Sequence, residues 1–181
     1  TLIEDGIDLK GKHLGVCRIP SVKTLNNLSS ALSMIIALIS KEASQEVVLD
    51  DLIPLLTKYS KDLHELERKL VDSFTTSSVI VGYNKMSTVV SFRIPLGTEQ
   101  KIVKTILSAY KTYVKLTPIP KIGLVIDYEK GRITDVSEIL SEIITLGGKV
   151  MFAKHKTSQR GIICPKNSTS TVLHLGSLSI N

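Results

Sequence analysis

The stretch TEQKIVKTILSAYKTYVKLTPIPKIGLVIDY, residues 98–128, decides the reading of the fold. Ile102, Val103, Ile106, Leu107, Ala109, Tyr110, Tyr113, Val114 and Leu116 recur with a helical period. That spacing predicts an amphipathic helix from about Glu99 to Leu116. Pro118 and Pro120 end it, because proline lacks the amide that a helix interior needs. Ile122-Gly-Leu-Val-Ile-Asp-Tyr128 then reads as a buried strand, an apolar run too short for a helix. Helix followed closely by strand is half of a strand–helix–strand crossover, which makes neighbouring strands parallel.

Downstream, Thr134 or Asp135 caps a further helix with apolar positions Val136, Ile139, Leu140, Ile143, Ile144 and Leu146. Gly147-Gly148 ends it, since glycine accepts the left-handed turn of a helix C-terminus. Val150–Ala153 and Gly161–Cys164 follow as strands, with Thr171–Leu175 as one more. Upstream, Val79–Tyr83 and Thr88–Ile94 are β-rich runs separated by Asn84-Lys85-Met86, the spacing of a hairpin. The order after residue 78 is therefore β-β-α-β-α-β-β, followed by the Thr171–Leu175 run. Its short connections imply antiparallel pairs beside the parallel ones, so a mixed sheet is expected.

The first part of the chain looks helical after a short strand near His13–Ile19. Leu25, Leu28, Leu32, Ile35 and Ile39 step by three and four. Leu49, Leu52, Leu56, Tyr59, Leu63, Leu66 and Leu70 then alternate three and four through three heptads. Two such helices in succession predict an antiparallel αα-hairpin, with Thr75-Thr76-Ser77-Ser78 breaking the second helix. The heptad leucines have two readings. They form an interface between copies of the chain, or they pack on the first helix and the sheet.

The expected fold is accordingly α+β. Residues 1–75 supply a strand or loop and the helical hairpin, a possible oligomerisation element. Residues 76–181 form a basic mixed α/β module in which two helices cover the sheet.

Size and composition fit one well-cored domain, or a small core plus an accessory element: 181 residues, 43% hydrophobic and 22% charged. Aromatic residues are only 4%, which limits any function built on stacking of bases. Residues 1–75 carry nine Lys/Arg against eleven Asp/Glu, and residues 76–181 fourteen against six. The balance of −2 and +8 gives the net +6 and points to an anionic partner for the second part. Cys17 and Cys164 are the only cysteines, too few for a disulfide framework, so an intracellular, cytoplasmic setting is expected. No apolar run reaches the roughly 18 residues of a membrane span, and nothing at the start resembles a signal peptide. The chain opens on Thr1 and not Met, so it is expected to be a piece of a longer or processed protein.

Lys101, Lys104, Lys111 and Lys115 fall within a sector of roughly 80° on the outer side of the 99–116 helix, joined there only by Ser108. A row of cations without an acid among them is the best functional clue. Lys149, Lys154, Lys156 and Arg160 cluster near the 153–166 segment and add to the candidate surface. Lysines are point charges, and only five arginines occur, so phosphate contact with low sequence specificity is expected. A solvated lysine-rich face has the same sequence signature.

Catalytic signals are weaker. Asp127, ending an apolar strand, and Glu129 have the shape of a magnesium-binding pair, but no phosphate-cradling glycine loop precedes a helix. His13, His64, His155 and His174 are scattered and form no nucleophile or metal pattern. No metal or cofactor is assigned.

The expectation is a non-enzymatic protein that binds nucleic-acid phosphates and self-associates through its N-terminal helices. The alternatives are an adaptor with protein partners on the heptad helix and, less well supported, a magnesium-dependent nuclease or phosphotransfer domain.

Overall fold

A computed structural model describes residues 15–18, 26–42, 46–50, 52–58, 61–84, 89–97, 99–128, 133–153 and 162–163. Its elements in order are β1 (Gly15–Arg18), α1 (Asn26–Glu42), β2 (Glu46–Asp50), α2 (Leu52–Thr57) and α3 (Leu63–Asn84). There follow β3 (Val89–Pro95), α4 (Gln100–Leu116), β4 (Ile122–Asp127), a 3-10 turn (Ile133–Val136), α5 (Ser137–Thr145), β5 (Lys149–Ala153) and β6 (Ile162–Ile163).

The sheet is not mixed. Its strands lie in the order β5-β4-β3-β2-β1-β6, and every neighbouring pair is parallel. Strands alternate with helices, so the fold is α/β and Rossmann-like, not α+β. The signal for this was the apolar run itself: all six residues of β4 are buried, as strands covered on both faces are.

Two errors produced the mixed expectation. Val79–Tyr83 is not a strand but the last part of α3, which runs on through Thr75-Thr76-Ser77-Ser78 without a break. Ser77, Ser78 and Val81 are buried there, and packing of that helix against α1 and α4 outweighs the β preference of Val79, Ile80 and Val81. Likewise β6 does not turn back on β5; it pairs with β1, at the other end of the sheet. The expected strand Thr171–Leu175 lies outside the described residues.

The helical hairpin is also replaced. Leu49 belongs to β2, Leu52 and Leu56 to α2, and Leu63, Leu66 and Leu70 to α3, while Tyr59 lies outside the described residues. The Asp62 carboxylate accepts the Glu65 amide at 2.9 Å and starts α3, so Asp62-Leu-His-Glu65 is a helix-start signal within the apparent heptads. Because β2 pairs with β3, one sheet runs through both expected modules, and residues 75–76 fall inside α3.

Sequential parallel strands joined by right-handed crossovers place their helices on one face. The contacts agree: α1 lies against α3, α3 against α4, and α4 against α5. Between this row and the sheet, Phe74 is the centre of an aromatic group. Its ring lies 5.5 Å from Phe92, 6.0 Å from Tyr110 and 5.9 Å from Tyr113, all four fully buried. The opposite face carries Val48, Ser91, Arg93, Val125 and Asp127, buried as well.

Candidate functional site

The α4 helix is fixed from inside. Its buried side holds Ile102, Val103, Ile106, Leu107, Ala109, Tyr110, Tyr113 and Val114, as the spacing predicts; Leu116 alone of that set is exposed. Two hydroxyls then tie the helix to the sheet. Tyr110 donates to the Ile122 carbonyl at 2.8 Å and accepts the Lys149 amide at 3.1 Å, so one side chain holds the starts of β4 and β5. Tyr113 donates to Ser78 Oγ at 2.8 Å and accepts the Lys121 amide at 3.0 Å. Burial pushes both hydroxyls above the usual tyrosine range. They stay protonated and act as donors as well as acceptors.

With its inner side docked, α4 turns its lysines outward. Lys101, Lys104 and Lys115 are exposed, and no carboxylate pairs with them among the described residues. Lys111 differs. Its Nζ lies 2.9 Å from Glu142 Oε2 of α5. Ser108, inside the lysine sector, donates to Glu67 of α3. Neighbouring helices therefore bring two carboxylates to a row that has none of its own, and divide it into Lys101 with Lys104 and Lys115 beyond.

Of the other basic candidates, Lys149 does not join this face. Lys149 opens β5, in line with Gly123 and Ser91 on the side of the sheet away from the helices. Lys154, Lys156 and Arg160 lie outside the described residues. The heptad leucines are equally settled in place. Leu49, Leu52, Leu56, Leu66 and Leu70 are fully buried and Leu63 packs against the same core.

The carboxyl ends of parallel strands are where open α/β sheets hold ligands. Two features of this chain lie there. One is a shallow recess between the β3–α4 loop and the 3-10 turn, lined by Leu96, Gly97, Gln100, Val103, Lys104, Asp135 and Val136. Gly97 turns that loop at φ 88°, a left-handed conformation that favours glycine. Lys104 thus belongs to both the lysine row and the recess, which Asp135 also lines without forming an ion pair with it.

The second feature is Asp127. It is buried, and Arg93 of the adjacent strand donates to its Oδ2 through Nε at 3.2 Å and through Nη2. A carboxylate gripped by a guanidinium in this way is charge-compensated within the protein, the opposite of one displayed for a magnesium ion. Glu129 lies outside the described residues. Strand order reverses between β1 and β6, the usual crevice in such sheets, and the residues directly after both strands lie outside the described residues.

Among the described residues no group of three metal-ligating side chains converges, and no helix is long and apolar enough to cross a membrane. No family model matches the chain, and no curated protein or solved structure matches it either.

Proposed function

We propose that the protein binds polyanions, nucleic acid foremost, along the outer face of α4, through phosphates and not base edges. One observation carries the reading: Lys101, Lys104 and Lys115 are exposed on a helix whose opposite side is locked into the core by Tyr110 and Tyr113. Rigid placement matters because the cations need no reorganisation to meet an anion. From Lys101 to Lys115 the helix rises about 21 Å, long enough to follow several phosphates of a backbone.

Specificity follows from the side-chain type. An ammonium group is a point charge without the fork that reads guanine, so affinity is shared among sequences. Lys111 contributes less than its position suggests, being engaged with Glu142. The test is a gel shift at low salt with unrelated duplexes of equal length. Similar retardation of all of them, abolished in a Lys101→Glu, Lys104→Glu, Lys115→Glu variant that remains folded, is the expected result. Undiminished binding by that variant contradicts the proposal.

A further inference from the structure

Among the described residues, the end of the sheet at β5 carries no further strand. Tyr128 donates its amide to the Ala153 carbonyl at 3.2 Å, and the register pairs Gly123 with Lys149, Val125 with Met151 and Asp127 with Ala153. In a parallel ladder those odd-numbered β5 residues direct their backbone groups at β4. Val150 and Phe152 consequently turn both N–H and C=O outward, and no hydrogen bond takes them up among the described residues. The side chains beside them are apolar and uncovered: Met151 is 38% exposed, Phe152 48% and Ile144 of α5 50%.

Natural sheets protect such edges with lysine, proline, a bulge or a covering element. This strand has Lys149 at its start; from Val150 to Ala153 it has no lysine, proline or bulge, and no element covers its outer edge among the described residues. Ile144 stands on the flank of α5 away from Glu142, which faces α4, so it overhangs the open side. Apolar surface and unpaired backbone therefore coincide.

We infer that β5 is a self-association edge, at which a second copy of this chain pairs antiparallel about a two-fold axis through Met151. The register is self-complementary. Val150 meets the partner's Phe152 and Phe152 the partner's Val150, which takes up all four outward groups in reciprocal hydrogen bonds. Met151 faces its own counterpart across the axis in a non-hydrogen-bonded position, on the side away from the helices. Lys149 stands opposite Ala153, so no like charges are opposed. On the helix side each Phe152 ring comes over the other copy's Val150 and Ile144. A five-residue edge with one overhanging side chain is smaller than the roughly 800 Å² per partner of a stable interface, so a weak dimer is expected, dissociating at tens of micromolar or above. This inference does not rest on polyanion binding.

Sedimentation of the full chain up to about 500 μM tests it beside two variants. A concentration-dependent dimer insensitive to salt is expected, since no ion pair forms at the edge. Phe152→Pro removes one outward N–H that the β4 ladder does not use, so it abolishes the dimer with circular dichroism unchanged. In a Cys17→Ser, Cys164→Ser background, Met151→Cys forms an intermolecular disulfide on mild oxidation, because residues facing each other across the axis are about 4.5 Å apart at Cα. This readout does not depend on whether the proline variant folds. A monomer at every concentration overturns the inference, as does a dimer without the Met151→Cys cross-link.

Discussion

Lys111 and Glu142 meet at 2.9 Å across the groove between α4 and α5, so the central lysine of the row is paired while its neighbours face solvent. The pair is partly exposed, with side chains 27% and 49% accessible, so solvent and salt screen it. Lys111→Gln is expected to change unfolding free energy by no more than about 0.5 kcal/mol. Glu142→Gln, by releasing Lys111, is expected to raise affinity for a duplex a few-fold at low salt, measured by fluorescence anisotropy. An unchanged affinity would show that Lys111 lies outside the contact.

The two buried tyrosines predict an alkaline limit. Burial raises both hydroxyls, so the unfolded chain, with tyrosines near 10, loses these protons first. Their contribution is complete below about pH 10 and declines as pH rises further, because the native state binds more protons than the unfolded one. Urea titrations from pH 8 to 11.5 should show stability falling above 10, and Tyr110→Phe should flatten the fall. Tyr110 and Tyr113 should resist spectrophotometric titration until unfolding.

Core positions predict large losses. Phe74 touches three other aromatic rings, and Phe74→Ala should cost about 3–5 kcal/mol by denaturant titration. Leu56 is fully buried within the chain, so Leu56→Asp should unfold the protein, a result distinct from a folded monomer.

Arg93 and Asp127 form a buried pair on adjacent strands, so removing one partner leaves a charge in a poorly solvated site. Asp127→Ala and Arg93→Ala are each expected to lose about 3–5 kcal/mol. The double variant should lose clearly less than the sum, because neither charge is then stranded.

Local patterns were legible where one element kept one period. The α4 helix, the apolar run of β4 and the Gly147 turn at φ 87° all follow from their residues. The topology was not, because it depends on which strand each strand meets. Val79, Ile80 and Val81 are β-formers held in a helix by burial of Ser78 and Val81. The leucines from Leu49 to Leu70 keep a heptad rhythm across a strand and two helices, since each faces the same core. Of the candidate site, the lysine sector was readable within α4, whereas Glu67 and Glu142 come from helices 41 and 31 residues away in sequence. No local pattern contains them.

The most direct measurement is the affinity of the full chain for a labelled duplex by anisotropy, across a salt series. Three free lysines on α4 predict a slope of log affinity against log salt of roughly −3, approaching zero when Lys101, Lys104 and Lys115 are all changed to Gln. Absence of binding at low salt, or a slope that the triple change leaves unaltered, would contradict the account.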